Sequence, residues 1–172
     1  MGTLKPAVSA TDHSQGNKNA AITLVEYGDY QCPYCGQAYP ILKEIQEYFG
    51  EKLKFVFRNF PLQNIHPFAV PAAIAAESAA KQNKFWEMHD MLFENQANFH
   101  GNSFMEFAKL LDLDTTQFSN DSKSEAILQR IENDFESGIK SGVNGTPSLY
   151  INGLKYNGMV EVQELIGTIN SI

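Results

Sequence analysis

The chain has 172 residues, of which 43% are hydrophobic, so it can bury a sizeable core as one or two compact units. Its formal charge of −7 and the lack of any lysine and arginine cluster in the sequence argue against nucleic acid as a partner. No apolar run in the sequence approaches the roughly 20 residues needed to cross a bilayer, so no membrane span is predicted.

Residues 1–20 are polar and lack the apolar segment of a secretory signal, so we predict a polar N-terminal tail. Such a start fits two locations. One is a periplasmic or other extracytoplasmic mature form from which an export signal has been removed, and the alternative is the cytoplasm. The cysteine content is compatible with both locations. We expect the extracytoplasmic form.

A regular pattern of secondary structure begins after the tail. Residues 22–27 form an apolar run of strand length, residues 33–49 have helical periodicity, and residues 53–60 form a second apolar run. Strand, helix and strand joined by short links make a βαβ unit, in which the two strands run parallel.

The first helix begins at a pair of cysteines, Cys32 and Cys35, which are the two cysteines of the chain. Pro33 occupies the first helical position, which suits its fixed φ and its missing N–H. Cys32 is therefore predicted at the helix N-terminus with Cys35 one turn along the same face. Free N–H groups and the helix dipole should stabilise a Cys32 thiolate, and a thiolate there suits reversible disulfide exchange.

Other interpretations of the cysteine pair are a structural disulfide, half of a zinc site, or two inert core cysteines. A three-residue loop constrains the unfolded chain little, so a structural bridge would stabilise weakly. The sequence contains no second cysteine pair, and His66, His89 and His100 lack the spacing of zinc ligands. Exchange chemistry is therefore favoured, and no metal is expected.

The rest of the chain is first helical and then returns to sheet. Residues 71–80 consist mostly of strong helix formers, and further helical patterns continue to residue 141. Residues 148–151 form a strand, Asn152-Gly153 is typical of a hairpin, and a final helix follows. We predict an α/β fold in which residues 21–62 and 142–172 form one discontinuous domain and residues 63–141 form an inserted all-helical domain.

In order and motifs the sequence resembles the thioredoxin superfamily. The resemblance rests on the βαβ…ββα order, on Cys32-Pro33-Tyr34-Cys35 at the first helix, and on Gly145-Thr146-Pro147 before the third strand. The long helical insertion is similar to that of the DsbA-like branch of thiol–disulfide oxidoreductases. The resemblance covers about residues 21 to 172 and implies a thioredoxin-like fold with an inserted helical domain.

The resemblance also implies roles for particular residues. Cys32 matches the attacking cysteine and Cys35 the resolving one, whereas Pro147 matches a cis-proline that faces them. Thr146 would offer backbone groups to an extended substrate chain. Glu26 matches a buried acid below the cysteine pair, and its place in an apolar strand predicts a raised pKa and a role in proton transfer with Cys35. A strand residue that faces the surface is the alternative for Glu26. Lys54 and Arg58 are the candidates for a cationic partner of Glu26.

The pair Pro33 and Tyr34 departs from the best-known members of the branch, which have histidine between the cysteines. A neutral phenol supplies no imidazolium charge near the Cys32 sulfur, so we expect a weaker oxidant. Pro-Tyr is also the glutaredoxin dipeptide, which makes a glutathione-dependent reductase the alternative. The long helical insertion argues against that alternative.

The resemblance implies protein substrates, unfolded or extended, whose thiols or disulfides exchange with the pair. A separate redox partner, such as a membrane oxidase, would recycle the pair. The redox-active group is the Cys32–Cys35 disulfide itself, so no metal, nucleotide or flavin cofactor is expected. A non-catalytic binding or chaperone module on the same scaffold is the alternative from another functional class.

Overall fold

The computed structural model describes residues 2–172 as an α/β fold. Its strands are β1 (His13–Gly16), β2 (Ile22–Gly28), β3 (Leu53–Asn59), β4 (Ser148–Ile151) and β5 (Leu154–Lys155). Its helices are α1 (Pro33–Phe49), α2 (Ala69–Ala80), α3 (Phe85–Glu94), α4 (Ser103–Leu110), α5 (Thr115–Asp121), α6 (Glu125–Ser141) and α7 (Val162–Asn170). The α/β class and the βαβ…ββα order with inserted helices, both predicted from the sequence, are confirmed.

The strands form one five-stranded sheet in the order β1-β3-β2-β4-β5. Strands β2 and β3 are parallel, as the short βαβ links predicted, and β4 runs antiparallel to β2. The β4–β5 hairpin turns at Asn152 and Gly153, which both have positive φ, the conformation that favours this dipeptide in tight hairpins. Strand β2, which leads into the cysteine pair, therefore lies at the centre of the sheet.

Alternation along the central strands divides the core into two faces. Leu24 of β2 packs into a large hydrophobic cluster with α1, α2, α3 and α7, whereas Val25 packs on the opposite face. That opposite face is covered by Phe135 of α6 and by Leu4 and Val8 of the N-terminal segment. Because side chains alternate across a strand, Glu26 shares the face of Leu24, which is the face on which α1 carries the cysteines.

The inserted helices share the core of the sheet domain. Ala72 of α2 and Met88 of α3 belong to the same buried cluster as Leu24 and Phe55 of the sheet. Removing the insertion would therefore expose part of this shared cluster. None of the helices within residues 2–172 is long and apolar enough to span a bilayer.

The N-terminal segment, predicted as a polar tail, pairs with the sheet at residues 13–16 and at Thr3. Strand β1 pairs antiparallel with β3, with His13 opposite Phe57. Earlier in the segment, Leu4 N–H donates to Gly153 O at 2.8 Å, and Thr3 forms a bridge with Leu154. The sequence of β1, His-Ser-Gln-Gly, has no apolar alternation. This edge strand is held by its backbone pairing with β3 and by the His13 side chain, which bonds to Glu77 and stacks on Phe85.

Candidate active site

The turn between β2 and α1 is built around the buried carboxylate of Asp29. Its Oδ1 accepts from Gln31 N–H at 2.8 Å, and its Oδ2 accepts from Leu62 N–H at 2.9 Å. Its carbonyl oxygen accepts from Cys32 N–H at 3.1 Å. These bonds fix the chain in the extended conformation at Cys32 (φ −67°, ψ 121°) from which α1 starts, with Pro33 at the first position.

Both cysteines are free thiols and both are buried. In its protonated form the Cys32 thiol donates to the carbonyl oxygen of Thr146 at a sulfur–oxygen distance of 3.4 Å. The Cys35 sulfur accepts from Asp29 N–H at 3.5 Å and is fully covered by the core. The segment before β4 therefore contacts the first sulfur, whereas the second sulfur lies behind it.

The surroundings of the two thiols shift their pKa values in opposite directions. The hydrogen bond from Cys35 lowers the pKa of Cys32 to about 5, helped by Thr146 and by the N–H groups of Cys35 and Tyr34, and together they outweigh the effect of burial. Burial raises the pKa of Cys35 well above its ordinary value, and its bond to Cys32 and the nearby Glu26 act in the same direction. Cys32 is thus a thiolate at neutral pH while Cys35 keeps its proton.

Glu26 is buried, with 2% of its surface exposed, in the interior position predicted for it. Burial raises its pKa to about 8, and the charge of Cys32 adds to the effect. Its Oε1 has no hydrogen-bond partner among residues 2–172. At pH 7 the Glu26 carboxyl is therefore protonated and neutral, and it lies close enough to both cysteines to interact with them electrostatically.

The predicted cationic partners of Glu26 do not pair with it in the part of the chain that is described. Arg58 forms an ion pair with Asp12, with Nε 2.8 Å from Oδ1. It points to the other face of the sheet, where it donates to the Tyr27 hydroxyl at 2.9 Å. Lys54 precedes Phe57, the residue opposite Glu26 in the register, by three positions. Arg58 was predicted as a candidate because it lies in an apolar strand close to Glu26. The sequence alone does not show to which face of the sheet its side chain points.

The remaining predicted residues surround Cys32. The Thr146–Pro147 peptide bond is cis, and Thr146 contacts the Cys32 sulfur through its carbonyl group. Tyr34 is 69% exposed, and it acts on Cys32 through its backbone N–H rather than its phenol. The structure thus brings Cys32, Cys35, Glu26 and Thr146 together, with Pro33 and Tyr34 on the surface beside them.

Two residues at this site were not predicted. Asp29 orders the turn, and its position three residues before Cys32 is the one signal that could have suggested it. Gln96, from the inserted helical region, donates to the carbonyl oxygens of Cys32 at 2.8 Å and Tyr30 at 2.9 Å. Gln96 carried no sequence signal, because it lies more than 60 residues from the cysteines along the chain.

The histidines have structural surroundings. His66 Nδ1 lies 2.8 Å from Asp29 Oδ2, and His89 Nδ1 lies 3.1 Å from the Tyr30 hydroxyl. Burial holds the pKa of His89 well below its usual range, so its ring is neutral. Within residues 2–172 no group of histidine, cysteine or acidic side chains has the arrangement of a metal site.

Comparison with known proteins agrees with this geometry. Residues 8–171 match the family model described as thioredoxin. The chain belongs to the thioredoxin family. Since the match spans the sheet and the inserted helices together, the family covers almost the whole chain, the N-terminal strand β1 included.

Solved structures similar to this thioredoxin-family chain include a thioredoxin-like oxidoreductase and a thiol–disulfide exchange protein. A thioredoxin-like oxidoreductase from Silicibacter pomeroyi is 26% identical, with a TM-score of 0.82 over 95% of this chain and 92% of that one. Oxidised BdbD from Bacillus subtilis is also 26% identical, with a TM-score of 0.82 over 93% and 91%. The thiol–disulfide exchange protein alpha-DsbA2 from Wolbachia pipientis, at 24% identity, shares the fold with a TM-score of 0.83 over 95% and 88%. The predicted DsbA-like membership is confirmed.

Curated relatives have a different name. The Na(+)/H(+) antiporter NhaA 1 of Salinispora arenicola is 38% identical over 160 residues, which are 93% of this thioredoxin-family chain and 24% of the antiporter. The NhaA of Herminiimonas arsenicoxydans is 32% identical over 169 residues, which are 98% and 27%. The chain therefore spans about a quarter of the length of the curated relatives it matches.

Proposed function

We propose that this chain is a DsbA-like oxidase that transfers the Cys32–Cys35 disulfide to protein substrates. The observation that carries the proposal is the difference in acidity within the pair: a Cys32 thiol with a pKa of about 5 next to a Cys35 thiol whose pKa is raised. Stabilising the Cys32 thiolate stabilises the reduced form of the pair. A stabilised reduced form makes the disulfide form a stronger oxidant.

The exchange takes place in two displacements. A substrate thiolate attacks the Cys32 sulfur of the disulfide, so that a mixed disulfide forms and the bond to Cys35 breaks. A second substrate thiolate then attacks the substrate sulfur of the mixed disulfide, and Cys32 leaves as a thiolate. Two electrons pass from the two substrate thiols to the pair, Cys35 retains one proton, and one proton is released to solvent.

Glu26 is suited to the proton transfer to Cys35. Its carboxyl is protonated at neutral pH, and it is coupled electrostatically to both sulfurs. When Cys35 leaves the disulfide as a thiolate in a buried site, it needs a proton at once. A neutral buried acid supplies that proton without requiring water to enter the core.

Substrate would lie as an extended chain across the surface that carries Cys32. Tyr34 offers an exposed aromatic ring, and Thr146 and Pro147 form the segment whose carbonyl already contacts the sulfur. An oxidase of this kind works in an oxidising compartment outside the cytoplasm, and a separate membrane oxidase would reoxidise Cys32 and Cys35.

The test combines cysteine variants with an equilibrium measurement. Cys32→Ser should abolish exchange with a reduced, unfolded protein substrate, whereas Cys35→Ser should accumulate mixed disulfides through Cys32. Equilibration of the wild-type pair with glutathione gives its reduction potential, which should lie among those of oxidases rather than of cytosolic reductases.

Three outcomes would count against the proposal. Full turnover by both serine variants would contradict the assignment of the nucleophile. Faster turnover with glutathione than with protein thiols would support a glutaredoxin-like reductase. A pair that resists mild dithiothreitol, together with no alkylation of the reduced protein at low pH, would support a non-catalytic binding module.

A further inference from the structure

The inserted helical region reaches the active site through the side chain of Gln96. This residue opens a short 3₁₀ turn, Gln96–Asn98, directly after α3, and its side chain is half-buried against the start of α1. The Nε2 group donates to Cys32 O at 2.8 Å and to Tyr30 O at 2.9 Å. Both amide protons of Gln96 are thus used on the backbone of the turn that carries the reactive cysteine.

The Cys32 carbonyl is also the first acceptor of helix α1, because Gly36 N–H donates to it at 3.1 Å. With Gln96 as a second donor, both lone pairs of this oxygen have a partner. On its other side the turn is fixed by Asp29, whose carbonyl accepts from Cys32 N–H. The peptide group that follows Cys32 is therefore held from two directions, one of which is the inserted region.

Gly36 explains how the Gln96 side chain fits. A Cβ added to Gly36 would collide with Gln96 Oε1 and lie 3.1 Å from its Cδ. Glycine lowers the stability of a helix interior by about 1 kcal/mol relative to alanine, and Gly36 lies in α1 without a positive φ that would require glycine. The space for Gln96 is what this glycine provides.

We propose that Gln96 is a positioning residue for the reaction, which holds the Cys32 turn so that the N–H groups of Tyr34 and Cys35 point at the Cys32 sulfur. The inference rests on the proposed function and extends it, since it gives the inserted region a part in setting the redox equilibrium of the pair. Gln96 touches no reacting atom. It acts through the backbone of Cys32 and Tyr30.

The physical basis has two parts. Fixing the Cys32 peptide keeps the first turn of α1 closed, so that its free N–H groups remain directed at the sulfur. In addition, the Cys32 carbonyl oxygen carries a partial negative charge near the sulfur, and a donated hydrogen bond offsets part of that charge. Both effects favour the thiolate over the thiol.

Three variants test the proposal in the full-length protein. Gln96→Ala removes the donor, and Gln96→Glu keeps the shape but places carboxylate oxygens against two carbonyl oxygens. Gln117→Ala is the matched control, because this exposed glutamine of α5 bonds to Asp121 within the same inserted region. The readouts are the pKa of Cys32, from the ultraviolet absorbance of the thiolate as a function of pH, and the equilibrium constant of the pair with glutathione.

We expect Gln96→Ala to raise the pKa of Cys32 by about half a unit to one unit, the size of one net hydrogen bond. Gln96→Glu should raise it at least as much. The equilibrium with glutathione should shift about three- to tenfold toward the disulfide form of the pair, since the reduced form loses stabilisation. Gln117→Ala should match the wild type in both measurements.

Gly36→Ala disturbs the Gln96 side chain from the helix α1 side of the contact. Its methyl group displaces the Gln96 amide, so its pKa shift should equal that of Gln96→Ala, and the double variant should show the same shift rather than the sum. This variant also decides the question if Gln96→Ala does not fold, because alanine is well tolerated in a helix.

The proposal is overturned if folded Gln96→Ala and Gly36→Ala both keep the wild-type pKa of Cys32 and the wild-type equilibrium constant. It is also overturned if their shifts simply add. Failure of the proposed function looks different, because the wild-type thiol itself would then ionise like free cysteine, whatever residue stood at position 96.

Discussion

Two groups of buried polar side chains lie on opposite faces of the sheet, and they differ in how many of their polar atoms have hydrogen-bond partners. On the α1 face, Glu26 Oε1 and Thr146 Oγ1 are buried next to the cysteines without hydrogen-bond partners among residues 2–172. On the other face lies what we call the Arg58 cluster, formed by Arg58, Asp12 and Tyr27. Its guanidinium donates to both Asp12 oxygens, to the Tyr27 hydroxyl and to backbone carbonyls of the N-terminal segment.

The two groups also differ in the protonation states that they favour. Burial disfavours the charge of Arg58, but its bonds to Asp12 and Tyr27 outweigh this and raise its pKa. Burial of Glu26 meets no such compensation, so its pKa rises to about 8 and the carboxyl is neutral. The Arg58 cluster therefore stabilises the fold, whereas the buried carboxyl of Glu26 lowers stability and has a pKa near neutral pH.

The largest effect should come from breaking the Arg58 cluster. Arg58→Met leaves the buried Asp12 carboxylate without its partner, and removing one member of a buried ion pair costs about 3–5 kcal/mol of unfolding free energy. Denaturant unfolding at pH 7 measures this cost. The matched control is Lys140→Met, which removes the exposed pair with Glu136 and should cost below about 0.5 kcal/mol.

Equal effects of these two variants would contradict the contrast between the two faces. The thiolate titration provides a second check. Arg58 lies on the face away from the cysteines, so Arg58→Met, measured where it remains folded, should leave the pKa of Cys32 unchanged.

Replacing the buried acid should stabilise the protein. At pH 7 Glu26 is protonated when folded and ionised when unfolded, so its raised pKa costs on the order of 3 kcal/mol, which Glu26→Gln removes. The sign follows from linkage: the cost is absent below the unfolded pKa of 4.5, grows as pH rises, and levels off above about 8.

The measurement is the unfolding free energy of the reduced wild type and of Glu26→Gln at pH 4 and pH 7. A gain that is equal at both pH values would show that the carboxyl is not neutral in the folded protein. The gain should be smaller in the oxidised protein, because the Cys32 thiolate charge that adds to the raised pKa is then absent. Exchange by Glu26→Gln should be slower, since Cys35 would lose its proton donor.

The sequence predicted the fold wherever pattern and packing agree. Strand β2, helix α1 and strand β3 were found within one or two residues, because apolar runs and turn residues mark them. Strand β1 was missed, since backbone pairing at a sheet edge leaves no apolar signature. A single sequence shows the local apolar pattern, but it does not show a strand that is fixed by its pairing with a distant part of the chain.

The site follows the same rule. Cys32 and Cys35 are three positions apart in the sequence and close in space, so their spacing and the position of Pro33 were enough to predict that they lie together at the start of α1. Glu26 could be suggested because a carboxylate stands in an apolar strand, but Arg58 was named as a candidate partner although it faces the other way. Gln96 could not be predicted, because its contact depends on how the inserted region packs on α1.

The smallest effect should come from Thr146→Val, which removes a hydroxyl that has no partner while the neighbouring sulfur is protonated. Because the substitution breaks no hydrogen bond of the folded protein, the unfolding free energy should change by less than about 1 kcal/mol. The hydroxyl helps to lower the pKa of Cys32, so that pKa should rise by a fraction of a unit.

Ser78→Ala is the matched control, because its buried hydroxyl also lacks a partner but lies on α2 and contributes nothing to the Cys32 pKa. A pKa that moves equally in both variants would mean that Thr146 has no specific effect on the thiolate. A large loss of stability in Thr146→Val alone would mean that its hydroxyl is satisfied, and the contrast between the two faces of the sheet would then rest on Glu26.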